Sequence, residues 1–236
     1  MIHAAGIILA RMDSSRFPRK ALTPVAGIPL LKRCLNGVQR SNSFIPVLAT
    51  TARPVDDPLA DFAKNEGILC YRGDLENIYR RVCDCLSEYR IDIFARINGD
   101  SPFVQPDLLN EGLNLLEQQN CDFITNLAPR RFPYGVSVEI FRSEIFLNAE
   151  KLLSTPEHKE HITSYFYQNL ADISYTAIVG ETDLSSVRLT IDTPEDLQVV
   201  ERMLGKDPRL FERPLQHVVE LYQTTLLDSE KAQGRI

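Results

Sequence analysis

The chain has 236 residues, of which 44% are hydrophobic and 25% are charged, a composition typical of a soluble globular protein. Its formal net charge of −6 argues against binding to nucleic acid or to an anionic membrane through an overall positive field. No apolar run approaches the roughly 18–20 residues that a spanning helix needs, and no basic segment precedes the first apolar run, so we expect neither a membrane anchor nor a signal peptide.

Apolar runs alternate with helical patterns through the first half of the chain. The short runs have the composition of buried strands, and the segments between them repeat their apolar residues every three or four positions. The predicted elements are strand 5–10, helix 29–40, strand 45–50, helix 55–66, strand 68–71, helix 75–89, strand 91–97, helix 106–119 and strand 122–125. This alternation is typical of a mostly parallel sheet with helices on both faces.

The second half has a less regular pattern. The predicted elements are strand 136–141, helices 144–153 and 157–169, strands 173–179 and 187–191, and helices 194–204 and 214–227. Thr193 is suited to cap the helix that Pro194 begins. We therefore predict a single α/β domain over residues 1–228, with a Rossmann-like mixed sheet, and a frayed polar tail over residues 229–236.

The cysteines indicate a reducing environment. Their number is odd, and their spacings do not form paired C-x-x-C units. They are Cys34, Cys70, Cys83, Cys85 and Cys121. Such cysteines are typical of reduced thiols, and we expect a cytoplasmic protein.

A basic segment, residues 11–20, directly follows the first predicted strand. Arg11, Arg16 and Lys20 carry positive charge there, and Ser14 and Ser15 lie between them. Ligands of open α/β sheets bind at the carboxyl ends of strands, and these side chains are suited to phosphate oxygens. The segment therefore predicts a phosphate site, with a solvated basic turn as the alternative. The chain lacks both the G-x-x-x-x-G-K-[ST] motif and a G-x-G-x-x-G motif after this strand.

Two aspartates follow predicted strands and are candidate metal ligands. Asp100 follows strand 91–97, and Asp192 follows strand 187–191. Mg²⁺ takes one or two carboxylates together with phosphate oxygens and water, so the pair predicts a magnesium site beside the phosphates. The alternatives are a type I turn around Asp100 and helix capping at Asp192.

Two further segments are candidates for contacting a second ligand. Glu139 follows Gly135 on a predicted strand, where its carboxylate could accept a hydrogen bond from a sugar hydroxyl; an ordinary edge strand is the alternative. His158 and His161 lie three residues apart on a predicted helix, but the spacing suggests no third ligand for zinc. A polar helix face that contacts a ligand, or a solvated face, is the better interpretation.

Seven motifs occur in an order that resembles the cytidylyltransferase superfamily with the glycosyltransferase-A-like fold. They read A-R-M-x-S-x-R-x-P-x-K, A-T-T, Y-R-G, R-I-x-G-D-x-P, G-x-x-V-E-x-F, E-H-x-T and R-x-T-x-D-T-P-E-D-L, at residues 10–20, 49–51, 71–73, 96–102, 135–141, 160–163 and 188–197. Members include CMP-Kdo synthetase, CMP-sialic acid synthetase and the spore coat polysaccharide biosynthesis protein F family, which the chain resembles most. Because chance matches would not keep this order, the resemblance is specific, and it covers about residues 5–205.

The resemblance implies an activity and a set of residue roles. It implies a nucleotidyltransferase that transfers CMP from CTP to a sugar acid, releases pyrophosphate, requires Mg²⁺ and serves polysaccharide or surface glycan synthesis; a homodimer is compatible with it. Catalytic residues would be Arg11, Lys20 and Asp100; nucleotide-binding residues Arg11, Ser14, Ser15, Arg16, Lys20 and Asn98; acceptor-binding residues Glu139, His161 and Arg188; metal ligands Asp100 and Asp192.

One departure from the family pattern leaves two rival interpretations open. Arg19 stands where the family usually has glycine, and it either adds a phosphate contact or blocks the approach of the backbone to phosphate. A non-catalytic nucleotide-binding homologue is therefore one rival. The other is a glycosyltransferase of the same fold, which usually carries Asp-x-Asp; the segment from Asn98 to Asp100 is the nearest match here.

Overall fold

The computed structural model describes residues 1–153 and 155–232. The strands are β1 (Ile2–Leu9), β2 (Pro24–Val25), β3 (Ile28–Pro29), β4 (Ile45–Thr51), β5 (Leu69–Gly73), β6 (Ile91–Asn98), β7 (Phe123–Thr125), β8 (Glu139–Arg142) and β9 (Tyr175–Ala177). The α-helices are α1 (Leu30–Ser41), α2 (Asp57–Asn65), α3 (Ile78–Tyr89), α4 (Pro106–Gln118), α5 (Ser143–Ala149), α6 (Pro156–Glu160), α7 (Ser164–Gln168), α8 (Pro194–Lys206) and α9 (Leu215–Ala232).

The central sheet is mixed and mostly parallel, which confirms the prediction. Its strand order is β5-β4-β1-β6-β8-β7-β9. Strands β5, β4, β1 and β6 run parallel to one another, β8 runs antiparallel to both β6 and β7, and β9 is parallel to β7. The four adjacent parallel strands therefore bring their carboxyl ends to one edge of the sheet.

Helices cover both faces of the sheet, and β1 shows how the sequence directs this. Ala4 and Ile8 pack in a core cluster with residues of α1, α2 and α4. Ala5 and Ile7 pack in a second cluster with residues of α3, α5 and α7. Successive side chains of a strand point to opposite faces, so a strand that is buried on both faces is apolar throughout.

The edge where β1 and β6 end positions two loops against each other. The backbone N–H of Gly99, just after β6, donates to Leu9 O at 2.9 Å. A Cβ atom at position 99 would lie 2.8 Å from the same carbonyl oxygen, so only glycine fits there. The basic loop after β1 and the Asp100 turn after β6 are therefore in contact.

Two predicted strands of the second half are shorter than expected. The strand predicted at 136–141 begins only at Glu139. Before it, the buried Asn126 side chain donates to Val136 O and accepts from the Val138 N–H, each at 2.8 Å, so an amide side chain replaces the sheet partner. The strand predicted at 173–179 is reduced to β9.

The prediction of one helix over residues 157–169 is wrong, because this segment forms two short helices. Helix α6 ends at Glu160 and α7 begins at Ser164. Ile162, between them, is 1% exposed and packs in the core beneath α3 and α5, which pulls the chain out of a helical path. The predicted helix 144–153 likewise ends early, as α5 followed by a 3₁₀ turn at Glu150–Leu152.

The predicted strand 187–191 is also wrong, because this segment pairs with a loop and not with the sheet. Leu189 N donates to Tyr134 O at 2.7 Å, and Tyr134 N donates to Val187 O at 2.8 Å. The segment is nevertheless buried, since Val187, Leu189 and Ile191 pack against α8 and α9 in the third core cluster.

The structure contains one hairpin that the sequence did not predict, and its C-terminal helix ends later than predicted. Ala26 and Gly27 both have positive φ, at 48° and 79°, as the two-residue turn between β2 and β3 requires. Helix α9 continues to Ala232, so the predicted frayed tail is wrong for residues 229–232; residues 233–236 lie outside the described part. Across the described residues, no helix combines the length and apolar character needed to cross a membrane.

Candidate active site

The basic loop after β1 is closed by a hydrogen bond near each of its ends. The N–H of Arg19 donates to Met12 O at 2.7 Å, and the N–H of Met12 donates to Asp56 Oδ1 at 2.7 Å. Arg19 has a φ of 64°, the left-handed conformation that glycine adopts most readily. Its side chain is exposed and does not line the adjacent cleft. Arg19 therefore keeps the backbone shape of a glycine and leaves the cleft open.

A buried carboxylate anchors the start of this loop. Asp56 is fully buried, and it accepts hydrogen bonds from Met12 N–H, the Thr51 hydroxyl and the Arg53 guanidinium. Arg53 also pairs with Asp13 at 2.6 Å, and this hydrogen bond is the main reason that the pKa of Asp13 lies below its ordinary value. The segment between β4 and α2 thus fixes the residues that flank Arg11.

Lys20, Asp100 and Asp192 meet at one point. Lys20 Nζ lies 2.9 Å from Asp100 Oδ2 and 2.8 Å from Asp192 Oδ1. Arg16 approaches the same Asp192 oxygen at 3.2 Å, and Arg188 pairs with the other. Burial tends to raise the pKa of Asp192, but Lys20, Arg16 and Arg188 outweigh it and lower the pKa below its ordinary value. Asp192 is therefore held as a carboxylate.

Backbone contacts set the orientation of the two aspartates. The N–H of Ile191 donates to Asp100 O at 2.9 Å, which joins the segment before Asp192 to the turn after β6. Asp196 Oδ2 accepts from the N–H groups of Asp192 and Thr193, each at 2.9 Å, as part of a capping box at the start of α8. The aspartates thus meet without a strand at 187–191.

The aspartate pair fits Mg²⁺. No group of three or more His, Cys, Asp or Glu side chains that could hold a metal occurs within residues 1–153 and 155–232. Mg²⁺ does not need one, because one or two carboxylates suffice when phosphates and water complete its shell. Asp100 and Asp192 already direct one oxygen each at a single cationic nitrogen, that of Lys20. This arrangement suits a small cation held between them.

A cleft of about 360 Å³ lies over the basic loop. Its lining includes most of the residues predicted to bind nucleotide or metal, namely Arg11, Ser14, Ser15, Arg16, Lys20, Asp100 and Asp192. The other lining residues were not predicted; they include Ile78, Arg81 and Glu160. The first two belong to α3, where their spacing is that of an ordinary amphipathic helix and gives no signal of a site.

A second cleft, of about 210 Å³, is lined by residues that contact the same aspartates. It is lined by Arg96, Asn98, Ser101, Leu127, Arg130, Tyr134, Gly135, Ser137, His161, Thr163 and Thr190. The Ser101 hydroxyl donates to Asp100 Oδ1 at 3.1 Å, and the Thr190 hydroxyl donates to Asp192 Oδ2 at 3.4 Å. The aspartate pair therefore lines the first cleft and is hydrogen-bonded to two residues that line the second. Asn98 lies in the second cleft and not, as expected, in the first.

The residues predicted to bind an acceptor do not all line the second cleft. His161 lines the second cleft, whereas His158 is buried and bonded to Gln168, so the two imidazoles do not share a site. Glu139 is 1% exposed, and its oxygens are bonded to Arg96 at 2.6 Å and to Tyr167 at 3.0 Å. Direct contact between Glu139 and an acceptor does not fit this burial; the carboxylate instead orients Arg96.

Arg188, the third predicted acceptor residue, lies between the aspartates and an aromatic ring. Its guanidinium pairs with Asp192, and its Cζ lies 5.2 Å from the centre of the Tyr134 ring. Arg130 lies over the same ring at 4.5 Å. Tyr134 thereby links a residue that pairs with Asp192 to a cation of the second cleft.

Residues 5–232 match a family model described as cytidylyltransferase. The spore coat polysaccharide biosynthesis protein SpsF of Bacillus subtilis is 26% identical over 208 residues, which are 85% of this chain and 85% of that protein. The 3-deoxy-manno-octulosonate cytidylyltransferase of Zea mays is 30% identical over 129 residues, 53% of this chain and 42% of that one. A solved cytidylyltransferase from Leptospira borgpetersenii superposes with a TM-score of 0.85 at 27% identity, covering 100% of this chain and 97% of that chain.

Proposed function

Because this chain belongs to the cytidylyltransferase family and is a nucleotidyltransferase, we propose that it transfers CMP from CTP to a sugar acid with release of pyrophosphate. The observation that carries the proposal is the position of Asp100 and Asp192, which line the first cleft and are hydrogen-bonded to Ser101 and Thr190 of the second. A nucleotide in the first cleft and an acceptor in the second would meet at this pair. The product would serve polysaccharide synthesis, as the name of the Bacillus subtilis relative suggests.

The first cleft supplies the groups that hold a triphosphate. Arg11 and Arg16 offer guanidinium donors, Ser14 and Ser15 offer hydroxyls, and Lys20 adds a positive charge beside the aspartates. In phosphoryl chemistry of this kind, the protein contributes mainly positioning and electrostatic stabilisation. These side chains would stabilise the charge that develops on the departing pyrophosphate, while the acceptor hydroxyl attacks the α-phosphate from the second cleft.

Asp100 and Asp192 would hold the Mg²⁺ of the reaction. The ion, when bound, would neutralise charge on the α-phosphate and on the leaving group. Arg188 and Thr190 both bond to Asp192 Oδ2, and Ser101 bonds to Asp100 Oδ1. These contacts leave Asp100 Oδ2 and Asp192 Oδ1, the oxygens that Lys20 contacts, directed at the common cation position.

The second cleft has the chemistry of a site for a hydroxylated acid. Its hydroxyl groups come from Ser101, Tyr134, Ser137, Thr163 and Thr190, and its cations from Arg96 and Arg130. Arg96 Nε and Arg130 Nη1 have no hydrogen-bond partner among the described residues. Hydroxyls match a polyol, and guanidinium groups match a carboxylate. An eight- or nine-carbon 2-keto sugar acid combines both, and the Zea mays relative is named for an acid of this kind.

The direct test is pyrophosphate release from CTP and Mg²⁺ in the presence of 3-deoxy-manno-octulosonate or N-acetylneuraminate. We expect release that depends on the acid and falls at least about 100-fold in Asp100→Asn, because a bound metal contributes several kcal/mol to such transfers. Asp92→Asn, on the exposed side of β6, is the matched control and should keep full activity. Full activity in Asp100→Asn would contradict the metal assignment. Hydrolysis of a sugar nucleotide without pyrophosphate release would favour the glycosyltransferase interpretation.

A further inference from the structure

A small recess of about 20 Å³ adjoins the second cleft. The two cavities share five lining residues, namely Arg96, Asn98, Ser101, Gly135 and Ser137. The rest of the recess is lined mostly by buried apolar side chains, such as those of Leu109 and Val138. A cavity of this size has room for about one water molecule, or for one oxygen atom of a ligand. A ligand in the second cleft can therefore place a single polar atom in the recess.

Arg96 lines both cavities and has one unused edge on its guanidinium. Its Nη1 donates to Glu139 Oε2 at 2.6 Å. Its Nε is buried without a hydrogen-bond partner, and Nη2 likewise makes no hydrogen bond within the part of the chain that the structure describes. Nε and Nη2 lie side by side on one edge of the planar group, where an arginine binds the two oxygens of a carboxylate. This edge therefore suits a ligand with two paired acceptor oxygens.

Three adjacent strands hold the guanidinium of Arg96 in this orientation. Strand β8 lies between β6, which carries Arg96, and β7. Glu139 begins β8 and is paired with Thr125 of β7. The Tyr167 hydroxyl donates to Glu139 Oε1 at 3.0 Å, whereas Oε2 accepts from Arg96. Because each oxygen of the carboxylate has its own donor, Glu139 cannot rotate without breaking one of these bonds.

Tyr167 acts as a lasting donor in this network. Burial, and then the charge of Glu139, raise the pKa of Tyr167, so its hydroxyl keeps its proton. Its oxygen lies 2.6 Å from Thr125 Oγ1, which is placed to donate to it in turn. The hydrogen bonds thus run in one direction, from Thr125 through Tyr167 to Glu139, and the charge of Glu139 faces Arg96.

The place of the unused edge indicates where an acceptor carries its carboxylate. Arg96 and Ser101 line the same recess, and the Ser101 hydroxyl donates to Asp100, the proposed metal ligand. A carboxylate bound to Arg96 would therefore lie close to the point of attack. We infer that Arg96 binds the acceptor carboxylate through Nε and Nη2, that Glu139 and Tyr167 are its positioning residues, and that the acceptor is a 2-ulosonic acid. In such an acid the carboxylate is attached to the carbon that bears the attacking hydroxyl, whereas a uronic acid carries it at the far end of the sugar. The inference rests on the proposed function.

The test measures the binding of 3-deoxy-manno-octulosonate, of N-acetylneuraminate, of the methyl ester of each, and of glucuronate. Calorimetry is done with Mg²⁺ and cytidine 5′-(α,β-methylene)triphosphate, from which CMP cannot be transferred. We expect the wild-type protein to bind at least one ulosonic acid on the order of 10–100-fold more tightly than its ester or glucuronate, because the ester and the uronic acid lose hydrogen bonds between charged groups. In Arg96→Gln, the acid should bind no more tightly than the ester, and the affinity for the ester should stay the same.

The positioning residues are tested by the same ratio of acid affinity to ester affinity. It should fall about tenfold in Glu139→Gln and about threefold in Tyr167→Phe, because Arg96 then loses its orientation. A merely structural role would weaken acid and ester equally, and that result would contradict the positioning role. Tyr165→Phe is the matched control, since it removes a hydroxyl from the same helix but from a residue that lines neither cavity. Its ratio should equal that of the wild-type protein.

Three results would overturn the inference. In the wild-type protein, equal affinity for each acid and its ester would do so without any variant. Equal losses of acid and ester affinity in Arg96→Gln would show that Arg96 does not contact the carboxylate. A fall of the ratio in Arg130→Gln but not in Arg96→Gln would place the carboxylate on the other cation of the second cleft. Selective binding of an acid without pyrophosphate release from CTP would contradict the proposed function and leave the carboxylate site standing.

Discussion

Arg19 is the residue at which the chain departs from the pattern of its family. The structure gives it a φ of 64° and an exposed side chain, so the backbone of the loop is that of a glycine. A non-glycine residue in the left-handed region costs about 1–2 kcal/mol. The substitution therefore affects stability more than nucleotide access, and it does not support a non-catalytic interpretation.

Arg19→Gly should accordingly stabilise the protein by about 0.5–1 kcal/mol, because the relief of backbone strain exceeds the entropy that glycine adds to the unfolded chain. Urea unfolding measures the change. CTP affinity should stay the same. A clear loss of CTP affinity would show that the Arg19 side chain contacts the nucleotide.

Lys20 occupies the position between the aspartates that we assign to the metal ion. Replacing it by Met removes the competing charge, so Mn²⁺ should bind the free Lys20→Met variant about tenfold more tightly than the free wild-type protein. Electron paramagnetic resonance of free Mn²⁺ measures this without any turnover. Equal Mn²⁺ affinity in the two proteins would mean that Lys20 and the ion occupy different positions.

At the scale of elements, the segment between β4 and α2 holds the basic loop in place. Asp56→Asn would put an amide donor where Met12 N–H and Arg53 require acceptors. We expect a roughly tenfold loss of CTP affinity, since a buried donor left unpaired costs about 1–3 kcal/mol. The control is Asp57→Asn, whose carboxylate is 55% exposed and pairs with Arg72. Similar CTP affinities in the two variants would contradict the anchoring role.

Helices α8 and α9 are joined through Asp207. The hydrogen bond from Arg213 is the main cause that lowers the pKa of Asp207 from 3.8 to about 2, and Arg209 N–H and His217 add to it. Because the pKa is lower in the folded chain, the stabilisation is complete above pH 3.8 and is lost as the pH falls toward 2. The melting temperature of Asp207→Asn should therefore lie below that of the wild-type protein at pH 6. The two curves should converge near pH 2; a difference that is independent of pH would contradict this.

The elements that could be predicted from the sequence are those whose apolar pattern lies within the segment itself. Buried parallel strands are continuous apolar runs, and the helices that pack on them carry the 3.6-residue period, so the elements through α4 could be predicted apart from the hairpin β2–β3. The later elements depend on distant groups. The Asn126 side chain replaces a sheet partner before β8, and the burial of Ile162 divides one predicted helix into α6 and α7. No pattern within those segments encodes such contacts.

At the scale of the whole molecule, topology assembles a site from distant parts of the chain. Lys20 and Asp192 are 172 positions apart, yet their side chains are 2.8 Å apart. The positions of Lys20 and Asp100 follow from strand ends at one edge of the sheet. The position of Asp192 does not, because its segment pairs with the loop at Tyr134. The place of Arg81 in the lining of the first cleft could not be predicted from the sequence, since an arginine within an amphipathic helix usually faces solvent.

In the proposed reaction, the first cleft holds the nucleotide and the second holds the acceptor, beside one pair of carboxylates. The central claim is that CTP and a sugar acid react there and that CMP moves intact to the acid. The most direct test uses CTP labelled at the α-phosphorus, with Mg²⁺ and 3-deoxy-manno-octulosonate or N-acetylneuraminate. We expect the label to pass into a CMP–sugar acid while an equal amount of unlabelled pyrophosphate forms. Label that stays in CTP with both acids, or that appears as free CMP at the same rate without them, would contradict it.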